Sequence, residues 1–170
     1  MVEVAHGSDI AFAELIHRHQ GKLVNFFVRM GVAPDVGEDL AQETFLKLYR
    51  MRMRYHVRAR FTTFLFGMAR NIMIDHARHR QRQRDLMNSY AQTLEIAADG
   101  HAAQSTELGM DTSTILARLS PKLREVIVLN VVQGLKYEEV AAALRIPEGT
   151  VKSRMNLAMI ELRKIRNELR

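Results

Sequence analysis

The 170-residue sequence contains no cysteine, only three prolines and nine glycines, and 6% aromatic residues. Without cysteine there is no disulfide framework, thiolate metal site or thiol nucleophile, and a reducing compartment suits the chain. So little glycine and proline argues against the short strands and frequent turns of all-β folds. No apolar run approaches the roughly 20 residues that span a bilayer. The N-terminus also lacks the basic-then-apolar layout of a signal peptide, so the expectation is a soluble cytoplasmic protein. A Gly-rich phosphate loop and an H-E-x-x-H pair are likewise missing, which points away from an enzyme and from a cofactor. His76 and His79 stand at i, i+3 but sit among arginines that would repel a cation, so no metal site is expected.

What is present is 47% hydrophobic and 26% charged sequence, enough for packed cores. The formal charge of +6 is segregated along the chain. Residues 1–48 carry 4 basic and 7 acidic side chains, whereas residues 49–84 carry 10 arginines and one acid, Asp75. Residues 85–111 have 5 acids and no lysine or arginine; residues 112–170 have 11 basic against 6 acidic groups. A solvated helix face usually mixes signs. Ten arginines within 36 residues instead create a local positive field that attracts phosphate.

Apolar periodicity predicts an all-α chain of two small helical domains, 1–84 and 112–170, joined by an acidic, flexible linker over 85–111. Phe12, Leu15, Ile16, Leu23, Phe27 and Met30 mark one buried helix face, which Gly31 ends. Pro34 opens a second helix whose inner stripe is Val36, Leu40, Thr44 and Leu48. Its other face carries Asp39, Gln42, Glu43 and Leu46, an acidic stripe containing an apolar residue. Met51 to Arg60 reads as a basic loop. A third helix from Phe61 buries Leu65, Met68 and Ile72, while Gly67, Asn71, Asp75, Arg78 and Arg82 line another face.

In the second half, Thr112 starts a helix and Ser120-Pro121 starts the next, filled by Val126, Ile127, Leu129 and Val131 and stopped at Gly134. A short helix from Tyr137 to Leu144, a turn and a longer helix capped by Thr150 match a helix-turn-helix. Val140, Ala141, Leu144, Ile146 and Val151 fall where the two helices touch. Val151, Met155, Ala158, Leu162, Ile165 and Leu169 form an unbroken seam on the last helix. Thr150, Lys152, Ser153 and Asn156 begin its outer face and can bond phosphates or base edges.

DLAQETFLKLYR (39–50), FTTFLFGMARNIMIDHARHR (61–80) and LREVIVLNVVQGLKYEEVAAALRIPEGTVKSRMNLAMIELR (123–163) together resemble a bacterial group IV, or ECF-type, sigma factor. The resemblance covers nearly the whole chain. It implies a subunit without catalysis of its own that binds core RNA polymerase and directs it to promoter DNA. On that resemblance Asp39, Leu40, Gln42, Glu43 and Leu46 dock on the polymerase. Tyr55, Arg58, Arg60, Asn71, Asp75, Arg78 and Arg80 meet the minus-ten element, where a base is flipped out, and Arg82 and Arg84 join them on the backbone. Thr150, Lys152, Ser153, Arg154, Asn156 and Leu157 meet the minus-thirty-five element. An anti-sigma partner is also implied.

Four positions depart from the family's pattern. Phe64 stands where tryptophan is common, and Arg145 occupies a turn position where glycine is common, one that prefers positive φ. Leu157 and Met159 replace cations near the groove, which predicts weakened backbone attraction. The alternative reading is a stand-alone helix-turn-helix regulator, which would need neither the acidic stripe nor the basic first half.

Overall fold

The computed structural model describes residues 1–57, 59–94 and 112–168, with the side chains of 89–94 left aside. Among the described residues every regular element is helical. In chain order these are α1 (Val2–Ala5), α2 (Asp9–Arg29), α3 (Pro34–Arg50), a 3₁₀ turn (Arg52–Arg54) and α4 (Phe61–Leu94). After them come α5 (Thr112–Ala117), α6 (Pro121–Ile127) with a π turn (Val128–Val132) at its end, α7 (Tyr137–Leu144) and α8 (Glu148–Glu168).

Local chemistry sets the ends of α2. Ser8 caps its start by accepting from the Ala11 amide at 3.2 Å. At the other end Gly31 takes φ +93°, while the Gly31 and Val32 amides donate back to the Val28 and Phe27 carbonyls, a Schellman closure. Space adds a second reason for glycine there, because a Cβ on Gly31 would stand 2.9 Å from Nη1 of Arg124. Pro34 then opens α3, and Gly37 lets that helix approach Phe27 of α2 closely. Thr44, fully buried in the inner stripe, satisfies its hydroxyl by donating to the Leu40 carbonyl at 2.7 Å.

Phe26, Phe27, Leu48, Leu65 and Phe66 form the centre of the first half, with the Phe26 and Phe66 rings 5.5 Å apart. The second half closes over Leu119, Val126, Val128, Leu129, Val140, Val151 and Ala158. The two cores are continuous. α4 packs on α7, and α2 packs on α5 and on the π turn. Gly67 of α4 brings backbone close to backbone: a Cβ there would lie 3.3 Å from the Ala143 carbonyl oxygen. Arg124 donates to the Met30, Ala117 and Leu119 carbonyls, joining the end of α2 to the loop after α5. Arg118, just after α5, pairs with Glu168 at the end of α8.

Several elements differ from the periodicity reading. α1 is additional and buries Val4. α4 runs on to Leu94, through the first ten positions of the stretch expected as linker. Those positions are helical although they lack an amphipathic stripe, and Asp85 to Asn88, the first four, are exposed, with no core face to reveal a helix. Val131 is exposed rather than filling the helix, since the π turn rotates it off the buried face. α8 begins at Glu148, so Thr150 lies inside its first turn, its amide donating to the Pro147 carbonyl at 2.9 Å. The predicted seam holds at Val151, Met155, Ala158 and Ile165, which are buried, and Leu162 is partly so; Leu169 lies outside the described residues.

Candidate functional site

Three surfaces gather the residues singled out from the sequence. The first is the outer face of α3. Asp39, Gln42, Glu43 and Leu46 are all solvent-exposed there, Leu46 to 56%. Leu40 does not belong with them. It is 2% exposed and packs inward, because it shares the i, i+4, i+8 stripe of Thr44 and Leu48. Beside Gln42 and Leu46 opens a groove of about 1000 Å³ between α2 and α3, floored by Phe12, Ile16, Val24, Val28 and Phe45. An exposed leucine at the lip of an apolar groove, rimmed by acids, suits a partner that offers both cations and apolar side chains.

The second surface runs from the loop after α3 onto α4. Tyr55 sets its ring edge-on to Phe64 at 5.2 Å, and partial burial raises its hydroxyl pKa. Next to this pair lies a cleft of about 590 Å³ lined by Lys47, Arg54, Tyr55, His56, Thr63, Phe64 and Asn71 from the first half. Ala142, Ala143 and Arg145 of the second half close its far side. Among the described residues, the side chains lining the cleft include cations and aromatic rings but no carboxylate, and the buried Thr63 hydroxyl has no hydrogen-bond partner. Such a chamber suits a flat, anionic group.

Asn71 is half-buried in the cleft, whereas Asp75, Arg78 and Arg80 lie farther along α4 in solvent. Asp75 and Arg78 pair loosely at 3.7 Å on the exposed surface. Arg82 and Arg84 are also exposed. Residues two apart on a helix do not face each other, so Arg78 and Arg82 continue the Asn71 face while Arg80 and Arg84 point elsewhere. Arg60 is directed at Glu139 of α7, 3.4 Å away. Arg58 lies outside the described residues.

The third surface is the start of α8. Val140, Ala141, Leu144 and Val151 are buried between α7 and α8, with Ile146 partly so. Lys152, Ser153, Asn156 and Leu157 face solvent, and Thr150 and Arg154 are half-buried. Lys152 holds Glu148 at 2.9 Å, and that hydrogen bond raises the pKa of its ammonium. Ser153 donates to the Gly149 carbonyl at 3.0 Å. Leu157 is 54% exposed with Met159 and Ile160 nearby in sequence, so this face is part apolar. Arg145 indeed takes a left-handed conformation, φ 55° and ψ 48°, to end α7. At the start of α7, Glu139 reaches back to accept from the Lys136 amide at 2.7 Å.

Residues 15–83 match the family Sigma-70 region 2 and residues 110–162 match Sigma-70 region 4. RNA polymerase sigma factor CarQ of Myxococcus xanthus is 33% identical over 163 residues, covering 96% of this chain and 93% of the relative. ECF RNA polymerase sigma factor SigW of Bacillus subtilis is 31% identical, covering 95% and 92%. The chain belongs to the ECF RNA polymerase sigma factors. Among solved structures it is similar to the sigma factor RpoE in complex with the anti-sigma factor NepR from Bartonella quintana. That likeness has a TM-score of 0.71 and 26% identity over 92% of this chain and 97% of that one. CnrH, solved with the cytosolic domain of CnrY, shares the fold at TM-score 0.74 and 23% identity, over 98% of this chain and 94% of that one.

As a sigma factor it acts in promoter recognition and transcription initiation, which displaces the reading as a stand-alone regulator. Sequence reasoning missed Glu125 and Glu139. Both are buried acids whose arginine partners lie 55 and 79 positions away in the chain. Glu125, standing between Leu123 and Val126 on a core-facing helix, carried a signal: a carboxylate among core residues needs a cation. No helix among the described residues is long and apolar enough to cross a membrane.

Proposed function

We propose that the outer face of α3 is the polymerase-docking surface, carried by Asp39, Gln42, Glu43 and Leu46, with Leu40 holding the helix from beneath. The observation behind this is the exposed acidic row with a 56% exposed leucine beside an apolar groove, on a helix whose opposite face is fully packed. Rigid backing keeps such a face preorganised, so little ordering entropy is lost on docking. The Tyr55–Asn71 cleft takes a base flipped from the minus-ten element, offsetting a few kcal/mol of lost stacking with its rings and cations. Arg60, Arg78 and Arg80, with Arg58, Arg82 and Arg84, hold phosphates around it, and Asp75 borders the same face. α8 enters the major groove at the minus-thirty-five element, with Lys152, Ser153, Asn156 and Leu157 toward the bases and Thr150 and Arg154 toward the backbone.

The domain division follows the same reading: 1–84 docks and opens, 85–111 connects, and 112–170 reads duplex DNA. The factor works in the cytoplasm, performs no catalysis, needs no cofactor or metal, and is held in check by an anti-sigma protein covering its docking face. Run-off transcription with bacterial core polymerase on a promoter library tests the assignment. Defined start sites are expected only when the factor is added. Asp39→Lys with Gln42→Lys is expected to abolish core binding while circular dichroism stays unchanged. Undiminished affinity of that variant for core enzyme would remove α3 from the docking role.

A further inference from the structure

α8 is anchored on one side and apolar on part of the other. Val151, Met155 and Ala158 are buried at spacings of four and three, so the residues between them are fixed outward. Ser153, Asn156, Leu157 and Ile160 are exposed on that outward face, Leu157 following Ser153 by one turn and Ile160 following Asn156 by one turn. The polar groups at the start of the face are already engaged within the helix. Lys152 holds Glu148, and the Ser153 hydroxyl donates to the Gly149 carbonyl. Farther along, the face turns to carbon: Ile160 is 48% exposed and stands next to the still more exposed Leu157 on the helix surface.

A leucine on a surface that meets the major groove constrains sequence as well as removing charge. The base edges there are mostly polar: guanine offers N7 and O6, adenine N7 and N6, and cytosine N4. Leucine can bond to none of these, and pressing it against them strips their water without return. Thymine alone carries a methyl group, on C5, that an aliphatic side chain can cover. The exposed amide of Asn156, next in the chain, suits N6 and N7 of adenine, so both neighbours favour an A·T pair over G·C.

We propose that Leu157 is a specificity-determining residue that reads the C5 methyl of a thymine in the minus-thirty-five element, with Ile160 extending the apolar strip behind it. The proposal rests on the placement of α8 in the major groove at that element. Discrimination comes from burying the methyl against carbon on the thymine-bearing pair and from stranding unpaired polar edges on G·C. With leucine rather than a cation at this position, binding here depends on base identity and little on salt.

The test separates one methyl from everything else in the base pair. Holoenzyme made with the full-length factor first selects promoters from randomised DNA, and the upstream block that the selected promoters share is the minus-thirty-five element. At least one fixed thymine is expected in it, on either strand. Each such thymine is then replaced by deoxyuridine, which lacks only the methyl. At the position that Leu157 reads, the affinity of holoenzyme should fall about fourfold, the effect of one buried methyl. Leu157→Ala, at an exposed position and with unchanged circular dichroism, should show a similar loss on thymine DNA and no further loss on deoxyuridine. Leu157→Met keeps an apolar side chain of similar reach and should restore the difference between the two DNAs.

Equal affinity of wild-type holoenzyme for thymine and deoxyuridine at every selected thymine overturns the proposal. So does a Leu157→Ala factor that still distinguishes them, because another group would then be reading the methyl. The two levels of the argument fail differently. Promoters selected with no shared upstream block would withdraw α8 from the groove and the proposal with it, whereas a shared block without a methyl effect would overturn the role of Leu157 alone.

Discussion

α4 is one helix with two characters. Its first part, up to Ile72, buries Leu65, Phe66, Met68, Ala69 and Ile72, and its arginine there, Arg70, is tucked against Glu125. From Ala77 to Asn88 the helix is exposed, and Arg78, Arg80, Arg82 and Arg84 stand in solvent. The same residue type serves opposite purposes on the two segments. Near the core an arginine is desolvated and must be paired, so it fixes the position of another element. In solvent it keeps its hydration and its field, and so remains available to phosphate.

The strongest way to test this division is to remove mass from the packed segment. Phe66→Ala should cost about 3–5 kcal/mol of stability in urea melts, because it deletes a fully buried ring in contact with Phe26. Leu86→Ala, at an exposed position on the distal segment, should leave the midpoint unchanged. Comparable losses at both positions would show that the distal segment is packed against something.

The next effect belongs to the exposed segment. Changing Arg78 and Arg82 together to Gln should leave stability alone but weaken promoter binding by holoenzyme about tenfold near physiological salt. The slope of log affinity against log salt should become shallower by about 1.8, the share of two phosphate contacts. An unaltered slope would mean that these side chains do not touch the backbone.

Periodicity made the buried half of this architecture legible and left the exposed half dark. Helices with an apolar stripe were readable to within a few residues, as at Pro34, Phe61 and Tyr137. The continuation of α4 from Asp85 to Leu94 was not, because no apolar stripe at helical spacing marks that stretch of the sequence. Leu40 and Leu46 look alike in a motif. Only their phase relative to Thr44 and Leu48 separates a core residue from a docking one. Of the candidate surfaces, the outer faces of α3 and α8 could be marked out from charge and spacing. The shared wall of the cleft could not, since it depends on partners such as Arg70 and Glu125 that no local pattern connects.

Arg145 faces the same cleft from the other side and carries a backbone cost. A left-handed conformation at φ 55° is unfavourable for any residue with a Cβ. Arg145→Gly should therefore stabilise the chain by about 0.5–1 kcal/mol, the relief of strain less the added entropy of the unfolded chain. Equal or lower stability in a denaturant titration would mean that the Arg145 side chain makes contacts worth more than the strain.

The smallest expected effect lies where α4 begins. His19 of α2 rests edge-on against Phe61 at 5.2 Å, and its pKa is lowered from 6.5 by burial, then by the charges of Lys22 and Arg18. Because the folded value lies below the unfolded one, the unfolded chain binds more protons between the two. The contribution of neutral His19 is thus fully present above about pH 6.5, diminishes as pH falls through the unfolded value, and is exhausted below the folded one. His19→Gln removes the titrating group and keeps a side chain of similar reach beside Phe61. The difference in stability between wild type and this variant should be constant from pH 8 to 7 and shift against wild type below pH 6.5. A difference that stays flat through that interval would show that the ring is as well hydrated in the folded chain as in the unfolded one, and that the start of α4 is open to water.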